Sequence, residues 1–113
     1  MKQKNYAVSN IKFEIEELLP AVRAGATKVM TNKYRLKQEE VAMLLGLTQA
    51  AVSKYINDKY SEKIKGIEKE FDKKILDKLV RYMVMGDAGK ARKTICEICR
   101  KSYKMQDKLT DIN

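Results

Sequence analysis

Side chains that are either small or polar recur at helical spacing near the middle of the chain. They lie in the stretch QEEVAMLLGLTQAAVSKYIND, where the residues in question are Gln49, Ala50, Ser53 and Lys54. On a helix such spacing places side chains on one face. Amide, hydroxyl and ammonium groups hydrogen-bond to base edges and phosphates, whereas bulky apolar groups on that face would block approach to the bases. The chemistry predicted for this face is contact with a DNA duplex.

Two short helices joined at a glycine are required to present that face. Apolar residues recur on both sides of Gly46, which supplies the turn because a residue without Cβ takes positive φ freely. Ala42 is small where the second helix would cross the first. We expect the Thr48 hydroxyl to cap the second helix, whereas Lys37 stands at the cap of the first, at a cost of about 1 kcal/mol. Such a pair is a helix-turn-helix, whose second helix enters the major groove.

The stretch Leu36–Asp58 resembles the helix-turn-helix of the phage lambda repressor and Cro class, also called XRE-type regulators. In that family the glutamine that opens the first helix contacts a phosphate and holds a second glutamine, which binds adenine. The resemblance assigns these roles to Gln38 and Gln49, and the adenine contact is worth roughly 1–3 kcal/mol of discrimination. Asp58 departs from the family pattern, in which glycine is common, and would repel a nearby phosphate.

The resemblance extends to further contacts and to the rest of the chain. It implies base or near-base contacts by Ser53 and Lys54 and a backbone contact by Asn57. The layout up to the C-terminal Cys-x-x-Cys is also similar to small archaeal regulators of the class. The complete set of predicted DNA-binding residues is Lys37, Gln38, Thr48, Gln49, Ala50, Ser53, Lys54, Asn57 and Lys59.

The remaining apolar periodicity predicts helices on both sides of this unit. One short helix after Ser9 or Asn10 should end or bend at Leu19, since Pro20 suits the first position of a new helix that reaches about Lys33. A long helix spans 61–85, and Gly86 and Asp87 separate it from a last helix. The predicted organisation is an N-terminal extension (1–19), a lambda-repressor-like domain (20–105) whose segment 61–105 is a dimerisation element, and a flexible tail (106–113).

Composition limits the classes of protein that fit. A chain of 113 residues with 44% apolar residues, one Pro and five Gly is typical of one all-α domain, here of five or six helices. A net charge of +9 favours nucleic acid as partner. The longest apolar run is too short to span a bilayer, and the basic N-terminus lacks an apolar signal core, so we expect a cytoplasmic protein without membrane contact.

Catalysis and metal binding receive little support from the sequence. With no His and only two Cys, the chain lacks the usual general base, and one chain cannot supply four N/S ligands, so we expect neither an enzyme nor a cofactor. No pocket for a small-molecule ligand is evident either. Cys99 fits a small buried hydrophobe. If two chains met there, however, Cys96 and Cys99 of each would form a four-thiolate metal site.

The sequence therefore predicts a homodimeric transcriptional regulator that acts as a repressor. Two alternatives are left open. Two recognition helices about 34 Å apart read a palindromic site with more specificity than one. The first alternative is a metal- or redox-responsive regulator that senses through Cys96 and Cys99. The second is an antitoxin-like module whose basic helices bind a partner chain.

Overall fold

A computed structural model describes the backbone of residues 2–111 and the side chains of residues 17–101. Over the described backbone the chain forms six helices and no strand, which confirms the all-α prediction. The helices are α1 (Lys2–Asn32), α2 (Gln38–Leu45), α3 (Gln49–Ile56), α4 (Glu62–Lys69), α5 (Lys73–Met85) and α6 (Ala88–Asp111). None of the helices in this part of the chain combines the length and apolar character that a membrane crossing requires.

Helix α1 continues through Pro20, so the predicted break at Leu19 is wrong. Proline inside a helix removes one backbone hydrogen bond and costs about 3 kcal/mol. The cost is offset by tertiary packing, because Leu18, Ala21 and Val22 around the proline are all buried. The spacing i, i+4, i+7, i+8 predicts one helical stripe of Ile11, Ile15, Leu18 and Leu19, but Leu19 is 40% exposed. Ile11 and Ile15, predicted on the same stripe, lie outside the residues whose side chains the structure describes.

Two groups of buried side chains divide the core. The C-terminal cluster consists of Leu18, Val22, Leu76, Leu79, Ala91 and Ile98. The helix-turn-helix cluster consists of Ala26, Met30, Val41, Ala42, Val52 and Val80. Helices α1 and α5 contribute to both clusters, and Val29 and Met83 pack against both. Helix α1 thus packs against both the α2–α3 pair and the C-terminal helices.

The segment predicted as one helix over 61–85 forms two helices, α4 and α5. Ser61 caps α4 as expected, since its hydroxyl accepts a hydrogen bond from the Ile64 N–H at 3.2 Å. The chain then breaks, and Asp72 caps α5 by accepting from the Lys74 N–H at 2.9 Å. Asp72 is a common N-cap residue, which the continuous apolar spacing concealed. The break lets α4 pack on α1 while α5 packs between α1 and α6.

The stop and restart at Gly86 and Asp87 is confirmed. Gly86 ends α5 with φ of 80°, and the Asp87 carboxylate accepts from the Lys90 N–H at 3.1 Å at the start of α6. The backbone of α6 is helical to Asp111, beyond the predicted end near Met105. The boundaries of the predicted extension, domain and tail stay predictions.

Candidate nucleic-acid interface

The α2–α3 unit has the geometry of a helix-turn-helix. Gly46 adopts φ of 66°, in the left-handed region that the sequence predicted for it. The Leu47 N–H donates to the Ala42 carbonyl at 2.8 Å, and the Gly46 N–H donates to the Met43 carbonyl at 3.4 Å. These bonds satisfy carbonyls at the end of α2 in the manner of a Schellman motif. The turn is therefore closed by backbone hydrogen bonds and is not a loose connection.

Both helices of the unit are capped at their N-termini. The Thr48 hydroxyl accepts from the Ala51 N–H at 3.1 Å, which confirms the predicted cap of α3. A lysine side chain cannot accept a hydrogen bond, so Lys37 gives α2 no cap of that kind. Instead Glu40 reaches back, and its carboxylate accepts from the Lys37 N–H at 3.0 Å. This reciprocal half of a capping box was missed in the sequence, although a glutamate three residues after the cap is its signature.

Helix α3 packs against α1 and α2 through one side, where Ile56 lies against the helix-turn-helix cluster. Of its residues, Val52 alone is fully buried, and it packs with Met30 of α1 and Val41 of α2 in the helix-turn-helix cluster. Ala42, predicted to be small at the crossing, is buried in the same cluster. The opposite side of α3 is left outside the core.

The predicted recognition face lies on this uncovered side. Gln49 opens α3 and Gln38 opens α2, and both side chains are exposed. Ala50, Lys54 and Lys59 are exposed, and Ser53 is half-buried. Within residues 17–101, no hydrogen bond or ion pair engages the side chains of Gln38, Gln49, Lys54 and Lys59. The contact from Gln38 to Gln49 that the resemblance implies is therefore not made, and the donors and acceptors of both amides are available to a partner.

Two of the predicted contact residues are engaged with each other. The Asn57 side-chain amide donates to the Ser53 carbonyl at 2.9 Å and to the Ser53 hydroxyl at 3.3 Å. The Asn57 amide nitrogen is thus already engaged within α3 and its C-terminal turn. The Thr48 hydroxyl, in contrast, can still donate while it accepts at the cap.

The C-terminal end of α3 closes on Asp58, the residue that departs from the family pattern. Asp58 has φ of 56°, where glycine is favoured. The Lys59 N–H donates to the Lys54 carbonyl at 2.8 Å and the Asp58 N–H donates to the Tyr55 carbonyl at 3.3 Å, again a Schellman pattern. The Asp58 carboxylate is not left free to repel a phosphate, because it pairs with the Lys28 ammonium of α1 at 2.8 Å.

Lys28 is the centre of a network that sequence reasoning missed. Its ammonium also donates to the Tyr60 hydroxyl at 2.7 Å and pairs with the Glu68 carboxylate of α4 at 3.1 Å. Tyr60 in turn donates to Glu68, and its ring meets that of Tyr55 edge to face with centroids 5.4 Å apart. The partners are far apart in sequence, so no local pattern could have indicated them.

The ionisation of these groups reflects their contacts. Burial lowers the pKa of the Lys28 ammonium, but hydrogen bonds to Asp58, Tyr60 and Glu68 more than offset this, and the pKa lies above its usual value. The hydrogen bond from Lys28 holds the pKa of the Asp58 carboxyl below its usual value. Burial, followed by the hydrogen bond to Glu68, raises the pKa of the Tyr60 phenol. At neutral pH, Lys28 is charged and Asp58 is ionised.

The cysteines lie away from the α2–α3 unit, on α6. Cys96 is exposed, and Cys99 is half-buried against the C-terminal cluster, as expected for a small apolar side chain. Burial, with a smaller contribution from Cys96, raises the pKa of the Cys99 thiol. Among the residues described, no group of three or more His, Cys, Asp or Glu side chains is placed to hold a metal ion.

No protein-family model, curated protein or solved structure matches this chain. The resemblance to lambda-repressor-like regulators therefore depends on the residues of Leu36–Asp58 and stays a prediction. The geometry adds the helix-turn-helix itself, with its closed turn, its capped helices and an uncovered polar face on α3.

Proposed function

We propose that the chain binds double-stranded DNA in a sequence-specific manner through its α2–α3 unit. In this proposal α3 is the recognition helix and lies in the major groove, while α2 braces it. The protein acts in the cytoplasm as a homodimeric transcriptional regulator of the lambda-repressor-like class and represses by occupying promoter DNA.

The observation that carries the proposal is the uncovered polar face of α3. An α-helix fits the width of the major groove, provided that the side chains facing the bases are small or can hydrogen-bond. The Gln49 amide can pair with N6 and N7 of adenine, and the Ala50 methyl suits the methyl group of thymine. Both side chains are exposed at the first turn of α3, which is the part of a recognition helix that reaches base edges.

The charge of exposed lysines near α3 also supports an orientation in which α3 faces the DNA. Lys54 and Lys59, near the end of α3, have exposed ammonium groups without an acidic partner among the described side chains. Lys28 and Lys33 of α1, in contrast, are paired with Asp58 and Asp77. Unpaired cations release counterions when they meet phosphates, which supplies sequence-independent affinity. The α3 side of the molecule thus offers base-reading groups and phosphate-binding groups together.

Dimerisation is proposed from the requirements of the target. One recognition helix covers only a few base pairs, whereas two related by a two-fold axis read half-sites one helical turn apart, about 34 Å. The exposed apolar side chains Val84 and Met85 at the end of α5 are candidates for the contact between chains.

Selection of bound sequences from a random duplex pool at about 150 mM salt tests the proposal, because non-specific charge attraction is weakened there. The expected result is an enriched palindrome whose half-sites are about one helical turn apart. Absence of enrichment, together with binding that disappears as salt rises, would refute sequence reading and leave only attraction by the +9 charge.

A further inference from the structure

Three separate elements meet at the Lys28 ammonium. Asp58 follows α3, Tyr60 lies in the link to α4, and Glu68 belongs to α4, whereas Lys28 itself projects from α1. The Glu68 side chain is 15% exposed, that of Lys28 is 32% exposed and that of Asp58 is 60% exposed, so water screens the Lys28–Glu68 pair less than the Lys28–Asp58 pair. The contacts fix the C-terminal end of α3 to both neighbouring helices.

The polar contacts of Lys28 add to the apolar packing of α3. In that packing Val52 is fully buried and Ile56 lies against the helix-turn-helix cluster. The Thr48 cap acts within α3 and does not anchor it to another helix. The link from Asp58 to Lys28 is a polar tie between the C-terminal turn of α3 and the body of the protein.

The residue type at position 58 agrees with this role. A positive φ is more easily adopted by glycine, and a residue with a side chain is strained there. Asp58 accepts that strain, and its carboxylate makes the 2.8 Å ion pair with Lys28, which glycine could not make. The side chain is therefore used for a contact, and the backbone alone does not account for its presence.

We propose that Lys28 is a positioning residue for DNA binding, which fixes the C-terminal turn of α3 to α1 and α4 and neutralises the Asp58 carboxylate beside the DNA-binding face. The inference rests on the proposed function, because it concerns the orientation of the proposed recognition helix. Lys28 acts through Asp58 and is not itself assigned a contact with DNA.

Neutralisation of Asp58 by Lys28 affects the affinity for DNA as well as the orientation of α3. Asp58 directly precedes Lys59, one of the exposed lysines proposed to meet phosphates. An unpaired carboxylate at that position would repel the DNA backbone, whereas a carboxylate paired with Lys28 contributes little net charge. Loss of Lys28 thus affects binding twice, since α3 loses its anchor and Asp58 regains its full charge.

A matched control exists on the same helix. Lys33 of α1 pairs with Asp77 of α5, also at 2.8 Å, but this pair makes no contact with α3. Lys28→Met and Lys33→Met each remove one positive charge from α1, and they remove two ion pairs and one ion pair respectively. The experiment measures the ratio of affinity for the selected duplex to that for a scrambled duplex, alongside thermal unfolding of each variant.

The expected result is a ratio about tenfold lower for Lys28→Met, an effect of the size found for coupled groups, and a ratio within about twofold of the wild type for Lys33→Met. Adding Asp58→Asn to Lys28→Met should restore about threefold in affinity on both duplexes, since the uncompensated charge is removed. Equal ratios for the two single variants would overturn the positioning role, and no recovery in the double variant would overturn neutralisation.

A second variant keeps the proposal testable if Lys28→Met does not fold. Asp58→Gly retains the contacts of Lys28 to Tyr60 and Glu68 and removes only the tie to α3, at a φ that glycine adopts freely. The affinity ratio should fall by about threefold or more. An unchanged ratio would overturn the proposal. If the wild type itself selects no sequence, the proposed function fails. If the wild type is selective and the Lys28→Met variant is equally selective, only the positioning role of Lys28 fails.

Discussion

The two halves of the core use different side chains for different purposes. The C-terminal cluster contains three leucines and an isoleucine from α1, α5 and α6, whereas the helix-turn-helix cluster is built mainly from alanines and valines. Large side chains bury more apolar area and contribute more to stability. Small ones let α2 and α3 lie close to α1 while one side of α3 stays uncovered. The comparison indicates that the large buried side chains are concentrated in one half and the proposed binding surface in the other.

The lysines do not follow the same division. Lys28 and Lys33 of α1 form ion pairs that connect helices, while Lys54 and Lys59 near the end of α3 have no acidic partner among the described side chains. Lys74 of α5 and Lys93 of α6 also have no acidic partner there. The positive field is therefore spread over both halves, and the polar groups beside Lys54 distinguish the α3 side.

The largest effect on stability is expected from the C-terminal cluster. Leu79 is 1% exposed, and Leu79→Ala should lower the free energy of unfolding by roughly 2–5 kcal/mol through the lost transfer energy and the cavity. Chemical denaturation measures this. Molecules that remain folded should retain their preference among DNA sequences. Met43→Ala is the control, since Met43 is 83% exposed and its loss should change stability by no more than about 0.5 kcal/mol.

The next largest effect concerns the other half. Gln49→Ala should weaken binding to the selected duplex by roughly 1–3 kcal/mol and relax preference at one base pair, with unfolding nearly unchanged because the side chain is exposed. Equal losses for Gln49→Ala on selected and scrambled DNA would contradict base reading by Gln49.

Lys54→Ala should instead weaken binding to all duplexes alike and reduce by about one the slope of binding affinity against salt concentration.

A pair of glycines tests the turn between α2 and α3. Gly46→Ala places a side chain at φ of 66° and should cost roughly 1–2 kcal/mol of stability, although no atom lies within 4 Å of the added Cβ. Gly66→Ala, in α4, also meets no atom within 4 Å but has no positive φ, so it should stabilise by roughly 0.4–1 kcal/mol. Thermal unfolding of both variants measures the difference. A loss of stability in both would argue against backbone conformation as the cause.

The smallest effect is a change in the acid dependence of stability. Because Lys28 holds the pKa of Asp58 below its usual value, the pair stabilises the fold above the pKa of the unfolded chain, about 3.9. That contribution disappears as pH falls through the lower pKa of the folded state. The wild type should therefore lose its advantage over Asp58→Asn as the solution is acidified. A difference between the two proteins that does not change with pH would contradict the pairing.

Local signals in the sequence were sufficient for the helix-turn-helix. Gly46 at the turn and Thr48 at the cap act through neighbouring backbone groups, so their residue types and spacing predicted the geometry that the structure has. The candidate recognition face followed from the same spacing, since Gln49 and Lys54 are exposed as expected. Interactions within a few residues are the part of a structure that sequence patterns report most directly.

Tertiary packing decided the rest. Helix α1 continues through Pro20, where the proline predicted a break. The segment 61–85 forms two helices that are divided at Asp72, where the apolar spacing predicted one continuous helix. Tertiary packing also brought Lys28 to Asp58, although thirty residues separate them in the chain. Sequence by itself determined the local turns and the exposed face, because short-range hydrogen bonds fix them. The path of the long helices and the Lys28 contacts were decided by the fold, because burial and ion pairing between distant segments outweigh local preference.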